Sequence, residues 1–407
     1  MSSVIHAEEP DEKMITVKLK NYLKDTDELQ LQIKGSYQTL SPTFSLKEGV
    51  NYTLFVKKGK LYISDAKEVF KLHGDFILIP SAIDEEHLIY INDQPYMGAM
   101  TFTVEDKHHI RPYNQLPLED YLKGVVPNEV FPSWHLNALK AQTLAARTYA
   151  YIHSNSKAEM DDTIRFQVYG GYTPYENTNK AVEETEGEII TYRNKPINAF
   201  YSASNGGITE SNTNVWGGQD KPYFPIKEDP YDPEQPWKIE LNKVQISKSQ
   251  LIYGAPFHWL TVTEKNDDIA NSIRQYLTNQ GYISAQIVSI DEFEINKEQT
   301  EGKRKVTGSI AVTFIHRSFG DMIFFDQISL KDEPLKKIRP MIGGTQFKSY
   351  LIESVQEEKD RYIIKGKGYG HGVGMSQWGA SEMANAGKDY KEIIAFYYPS
   401  TEITKIY

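Results

Sequence analysis

The stretch Ser133-Trp-His-Leu-Asn-Ala-Leu-Lys-Ala-Gln-Thr-Leu-Ala-Ala-Arg-Thr-Tyr-Ala-Tyr-Ile-His-Ser154 reads as one long helix. Ser133 is placed to cap it, because a serine hydroxyl can accept from the free N–H groups of a first turn. Leu136, Leu139, Thr143, Ala146 and Ala150 recur on one stripe. Ala138, Ala141, Ala145 and Ile152 form a neighbouring strip of mostly small residues, which lets another backbone approach closely. The helix is therefore expected to be the buried spine of a mixed α/β domain. Lys140 and Arg147, seven residues apart, share a face and are candidate substrate contacts.

Upstream, Leu118–Leu122 has a short helical pattern, followed by the apolar run Gly124-Val-Val126 and then Pro127-Asn-Glu-Val-Phe-Pro132. Two prolines are expected to fix a loop that presents Glu129 among apolar neighbours. That setting favours the protonated carboxyl a general acid needs. Most acids in any chain are solvated, so Glu129 stands out by its rigid, apolar setting. Further upstream the period changes to two. Ile15, Val17 and Leu19 alternate with polar residues, as do Leu29, Leu31 and Ile33, and Tyr52–Val56, Lys60–Ser64 and Leu88–Ile91 continue the pattern. Residues 13–105 are expected to form a β-rich module of half-buried antiparallel strands, preceded by a flexible acidic tail at 1–12.

Downstream, residues 155–180 are polar and loop-like. Glu188–Thr191 and Ile197–Tyr201 read as strands joined at Asn194-Lys195. Tyr201-Ser-Ala-Ser-Asn-Gly-Gly207 is too polar for core, and Tyr201, Ser202, Ser204 and Asn205 are candidate sugar contacts. Five prolines make 220–236 irregular. Residues 246–345 read as an α+β subdomain with a helix at Ile269–Leu277 and strands at Gly308–Phe314 and Gly320–Phe325. The charged section 296–306 is expected to be a solvated hairpin tip. In Gly366-Lys-Gly-Tyr-Gly-His-Gly-Val-Gly374 glycine takes every second position. An extended chain there would have one bare face, with Tyr369 and His371 on the other. Gln377 and Trp378 add an amide and an aromatic platform, beside Ser376. Ala380–Ala386 and Tyr390–Tyr397 read as helices. The fold class is thus α+β: a β-rich N-terminal module, then at 106–407 a mixed α/β catalytic domain containing the long helix.

The composition removes whole classes of function. With 45 basic and 55 acidic residues the net charge is −10, against duplex nucleic acid as a partner. There is no cysteine among the 407 residues, so disulfides, thiolate nucleophiles and cysteine-ligated metals are excluded. The ten histidines show no HExxH or comparable spacing, and no P-loop or GxSxG elbow occurs. No metal and no cofactor is expected. Tyrosine is abundant, at 27 residues, which suits stacking on polar ligands such as sugars. No apolar run approaches the roughly 18 residues of a membrane span. Ile5 and Ala7 fit the −3 and −1 positions of a signal-peptidase site before Glu8, and an exported protein is expected.

Several of these stretches, in this order, resemble the stage II sporulation protein D family, which includes the LytB amidase-enhancer proteins. They are Leu116-Pro-Leu-Glu-Asp-Tyr-Leu-Lys-Gly-Val-Val-Pro-Asn-Glu129, Ala138-Leu-Lys-Ala-Gln-Thr-Leu-Ala-Ala-Arg-Thr-Tyr149, Gln167-Val-Tyr-Gly-Gly171, Tyr201–Gly207 and Gly368-Tyr-Gly-His-Gly-Val-Gly-Met-Ser-Gln377, with Gly379-Ala380 and Tyr397-Tyr-Pro399. The resemblance covers roughly residues 110–407. It implies a lytic transglycosylase that cuts peptidoglycan glycan strands poor in stem peptides. The family's essential glutamate falls on Glu129. The matching stretches add Gln167 and Tyr169 to the candidate substrate contacts. The alternatives are a non-catalytic wall-binding enhancer of an N-acetylmuramoyl-L-alanine amidase, or a structural part of an engulfment machine. The implied location is the cell wall or outer face of the membrane, with a wall amidase or other wall-remodelling protein as further partner. Some family members carry a zinc site of cysteines and a histidine. Here its ordering role would fall to hydrogen bonds around residues 163–175.

Overall fold

The computed structural model describes residues 13–40, 44–65, 67–154, 159–247, 249–250, 261–318 and 322–407. The N-terminal tail and the start of the strand expected at Gly320 lie outside them. The fold is α+β, and its contacts divide into two compact units. One runs to Phe200 and takes in Met383–Tyr407; the other is Tyr201–Glu382.

The first unit begins as the alternation dictates. Met14–Lys18 and Glu28–Lys34 bury every second side chain. One six-stranded sheet runs Met160–Asp161, Met14–Lys18, His109–Pro117, Ala99–Glu105, Phe76–Pro80, Tyr37–Thr39. The other runs Val69–Lys71, Lys60–Ser64, Tyr52–Lys57, Glu28–Lys34, Leu88–Ile91, Gln94–Met97. The unit does not end at residue 105, because His109–Pro117 pairs with both Met14–Lys18 and Ala99–Glu105 and runs straight into the first helix. One hydrophobic cluster accordingly reaches from Ile15 to Val182.

Helix α1 is Leu118–Glu129 and helix α2 is Leu136–His153. The expected short helix and proline loop are thus one helix, with Pro127 inside it. Leu118, Tyr121, Leu122, Val125 and Val126 form a continuous buried face, and their burial outweighs the one bond that proline removes near the last turn. Helix α2 is the expected buried spine, with Ala138, Ala141, Ala145 and Ala146 fully or almost fully enclosed. Its cap is His135 rather than Ser133: the imidazole Nδ1 accepts from Asn137 N at 3.2 Å. Helix α3, Glu176–Glu183, lies partly where the sequence suggested only loop.

The second unit has its own core, running from Trp237 to Ile364. Trp237–Asn242, Arg361–Gly366 and Ile352–Glu357 make one sheet; Ile283–Ile295, Thr307–Arg317 and Ile323–Pro334 make another. Helices Asp267–Asn279 and Leu335–Ile342 pack together and on the second sheet. Residues 220–236 contain no regular helix or strand. Lys195–Pro196 pairs with Glu188–Tyr192, but the chain after it does not continue that hairpin: Tyr201–Ser202 runs parallel to Met375–Ser376.

Candidate active site

In the first unit, Glu129 is the last residue of α1 and half-buried, not a loop residue. Its Oε1 accepts from the backbone N–H of Val168 at 2.8 Å. This contact depends on how the segment 167–172 is held. Gly170 N donates to Gly124 O at 3.0 Å, and Tyr172 N to Pro95 O at 2.8 Å. A Cβ at Gly124 would stand 2.2 Å from Gly171 O, so only glycine lets the loop lie against α1. Gln167 is buried; its amide donates to Ala146 O and its carbonyl accepts from Tyr121 Oη. Burial, and then the charge of Glu129, raises the Tyr121 hydroxyl well above its ordinary pKa. The Tyr149 hydroxyl is pushed up to about 12 by burial, with Asp161 and Glu129 adding to it. Glu129, Gln167 and the two phenols thus share one environment. The loop is further tied by Asp161, which accepts from Thr163 N and Oγ1, and by Asp162, which accepts from Lys20 N and Asn21 N. Among the described residues no group of three or more His, Asp or Glu is arranged to hold a metal.

Three other candidates of this unit are scaffold instead. All five N–H donors of Arg147 are engaged: two carboxylate bonds to Glu119 at 2.9 and 2.6 Å, and bonds to Thr185 Oγ1, Glu188 O and Val182 O. The guanidinium is fully buried and has no donor left for a sugar. Lys140 shares that face as expected, but pairs with Glu184 at 2.5 Å and lies over the Tyr390 ring. Tyr169 is a core aromatic whose hydroxyl donates to Asn114 Oδ1 at 2.7 Å. Two-residue and seven-residue spacings show which face a side chain takes, not what that face meets.

In the second unit, the glycine-alternating segment is not an extended strand. Gly368, Gly370, Gly372 and Gly374 all take positive φ, from 74° to 112°. The backbone therefore winds, which L-residues at those positions would resist. It packs on the 201–207 segment: Tyr369 exchanges both backbone hydrogen bonds with Ser204, at 2.8 and 3.1 Å. Beneath them lies a buried polar network centred on Asp232. Its carboxylate accepts from Ser204 Oγ at 2.7 Å, Asn205 N at 2.9 Å, Ser376 Oγ at 2.5 Å and Glu234 N at 2.7 Å. Asn205 also donates to Asp229 at 2.7 Å. Ser202 Oγ accepts from Gly372 N. Ser202, Ser204, Asn205 and Ser376 are brought together as the mortar of two loops.

The section 296–306 is a hairpin tip whose Lys297, Glu298, Glu301 and Lys303 are exposed, with Arg304 the exception. Arg304 is buried, and its guanidinium donates to the carbonyls of Asn205, Ile208, Thr209 and Gly302 at 2.7–3.3 Å. Burial lowers its pKa to about 10, with Glu210 and Asp232 acting in the opposite sense. A Cβ on Gly372 would stand 2.0 Å from Arg304 Nη2. His371 Nδ1 accepts from Val373 N at 3.0 Å, and its ring meets Trp216 edge-on at 4.9 Å. Its pKa falls to about 4, through burial and then the nearby positive charge of Arg304. Tyr369 is 38% exposed; Tyr201 and Trp378 are half-buried, and Gln377 is buried.

Asp232, Asp229, Arg304 and Glu119 escaped the reading of the sequence. The Asp-Pro-Tyr-Asp-Pro run at 229–233 carried a turn signal that could have drawn attention to the two aspartates. Nothing local marks Glu119 or Arg304, whose partners lie 28 and about 100 residues away.

Comparison with known proteins bears on the same segments. The model of the stage II sporulation protein family matches residues 106–192, the span that carries α1, Glu129, α2 and Val168. Over 390 residues the chain is 37% identical to the Amidase enhancer of Bacillus subtilis (strain 168), covering 94% of this chain and 54% of that protein. It is 28% identical over 310 residues to Stage II sporulation protein D of the same organism, covering 71% of this chain and 75% of that protein. An uncharacterized protein of Brachyspira hyodysenteriae is 32% identical over 319 residues, with 73% of it covered. The chain thus spans about half the length of the first of these relatives and about three quarters of the other two. The family match includes Glu129's own segment, and the chain belongs to the stage II sporulation protein D/LytB family.

Proposed function

We propose that this protein is a lytic transglycosylase of the bacterial cell wall, acting outside the cytoplasm on glycan strands poor in stem peptides. The observation that carries this reading is the Glu129 carboxyl group, held at the end of α1 by the Val168 N–H at 2.8 Å. Glu129 protonates the glycosidic oxygen between N-acetylmuramic acid and N-acetylglucosamine. The C1–O bond breaks through an oxocarbenium-like transition state. The carboxylate then takes the proton of the muramoyl C6 hydroxyl, whose oxygen closes onto C1. A 1,6-anhydro end forms, no water is consumed, and Glu129 regains its starting proton. A hydrolase would need a second carboxylate roughly 5–10 Å away to act as nucleophile or base. Tyr201, Tyr369, His371, Gln377 and Trp378 remain proposed glycan contacts of the second unit.

Digestion of denuded glycan strands by wild type and Glu129→Gln tests this. The variant is expected to lose roughly 100- to 10,000-fold in rate, and wild-type products are expected to end in anhydro sugars. Equal rates would remove Glu129 as the acid; reducing ends would make the enzyme a hydrolase.

The likeness to a protein named Amidase enhancer over 94% of this chain favours a second reading, a wall-binding partner that stimulates a separate amidase. Retention on purified peptidoglycan with faster amidase turnover, but no glycan product, would support that reading instead.

A further inference from the structure

After Glu129 the chain turns through residues 130–135 into α2. Val130 is extended (φ −138°, ψ 163°) and buried. Glu129, the last residue of α1, and Phe131 flank it in the chain. Phe131 is 58% exposed. Its ring meets that of Trp134 at 5.7 Å between centroids, tilted by 57°. Trp134 N donates to Phe131 O at 3.0 Å, which closes the turn. Asn177 Nδ2, from the first turn of α3, donates to Pro132 O at 3.3 Å. The aromatic pair is thus held on a turn tied to three helices.

Single exposed apolar residues are ordinary. A tilted aromatic pair on a tethered turn, two residues from a carboxylate, is a different object. It offers a stiff apolar face beside hydrogen-bonding groups: the Glu129 carboxylate and the amide of Asn128, whose Nδ2 also donates to Gly124 O at 2.9 Å. A pyranose ring has the complementary form, with C–H groups on its face and hydroxyl and acetamido groups on its rim. In a chain of net charge −10, stacking on such a ring also avoids any need for a basic patch.

We propose that Phe131 and Trp134 form a sugar-stacking subsite contiguous with Glu129, taking an N-acetylhexosamine ring of the glycan strand. This rests on the reading of the protein as one that acts on glycan. The test is binding of the full chain to denuded peptidoglycan strands, with Glu129→Gln as the non-cleaving parent. Adding Phe131→Ala or Trp134→Ala is expected to weaken binding about tenfold or more, while Trp134→Phe retains most of it. Thermal unfolding checks each variant. Phe131 lies at an exposed position, so Phe131→Ala decides the matter if Trp134→Ala fails to fold. Binding by Phe131→Ala equal to the parent, with unchanged cleavage when Glu129 is intact, would overturn the subsite and leave the proposed activity standing. Failure of the wild type itself to bind or cleave the strands would overturn both.

Discussion

Arg147 in the first unit and Arg304 in the second are both buried, and the two are satisfied in different ways. Arg147 rises from α2 and meets a carboxylate from α1, with Glu119 accepting at 2.9 and 2.6 Å. Arg304 comes from a hairpin tip and meets only carbonyl oxygens, while Glu210 and Asp232 act on it from further away. The contrast follows from the elements involved. Carbonyls in a helix interior are occupied, so α1 supplies a side chain, while α3 offers the Val182 carbonyl only from its last turn. Loops have unpaired carbonyls, and a guanidinium with five donors can gather several at once. The first arrangement holds α1 and α3 around α2 and so fixes the helix that ends in Glu129. The second holds the polar loops at 205–209 and 302.

Four measurements would break or sharpen this contrast. The largest effect is expected from Glu119→Ala, which leaves the Arg147 charge buried without its carboxylate; roughly 3–5 kcal/mol of stability should be lost. Replacing both partners, Glu119→Leu with Arg147→Met, should cost clearly less in urea unfolding, and equal losses would mean that the pair is not what Glu119 contributes. Arg304→Met should cost about 2–3 kcal/mol, since several loop carbonyls lose their donor together. Unfolding midpoints unchanged by that substitution would show the tip to be dispensable. Ser376→Ala removes one of the donors to Asp232 and is expected to cost about 1 kcal/mol; a gain in stability would contradict the network as described.

The smallest effect concerns pH. His371 has a folded pKa of about 4, below its ordinary 6.5, because of burial and Arg304. Between those values the unfolded chain binds a proton that the folded ring refuses. Its contribution to stability is therefore present above about pH 6.5 and is lost as pH falls towards 4. Stability curves of wild type and His371→Asn should converge over that window, and parallel curves would show that the ring is not held neutral.

The sheets of the first unit were legible because alternation at period two states which side chains are buried. The spine helix was legible from its stripe and its small residues. Glu129 could be singled out from its apolar neighbours and the family resemblance. What surrounds it could not, since Val168 reaches it only through Gly124 and Gly170, whose close approach has no local signature. The glycine-alternating segment misled for a related reason. Spacing at period two suggests a strand, whereas four glycines at positive φ produce a winding loop from the same letters. At the charged tip 296–306 composition matched the exposed lysines and glutamates but was silent about Arg304, which is buried by partners far away in the chain.

The sequence by itself determined the α+β class, the identity of the long buried helix, and the exclusion of cysteine chemistry, since these depend on local periodicity and on which residue types exist at all. Only the tertiary structure decided that Glu129 ends a helix, that Arg147 and Tyr169 are framework, and that Arg304 and Asp232 organise the polar loops. Those outcomes depend on which donors and acceptors meet once distant segments pack. A buried charge or amide must find its partner wherever the fold supplies one.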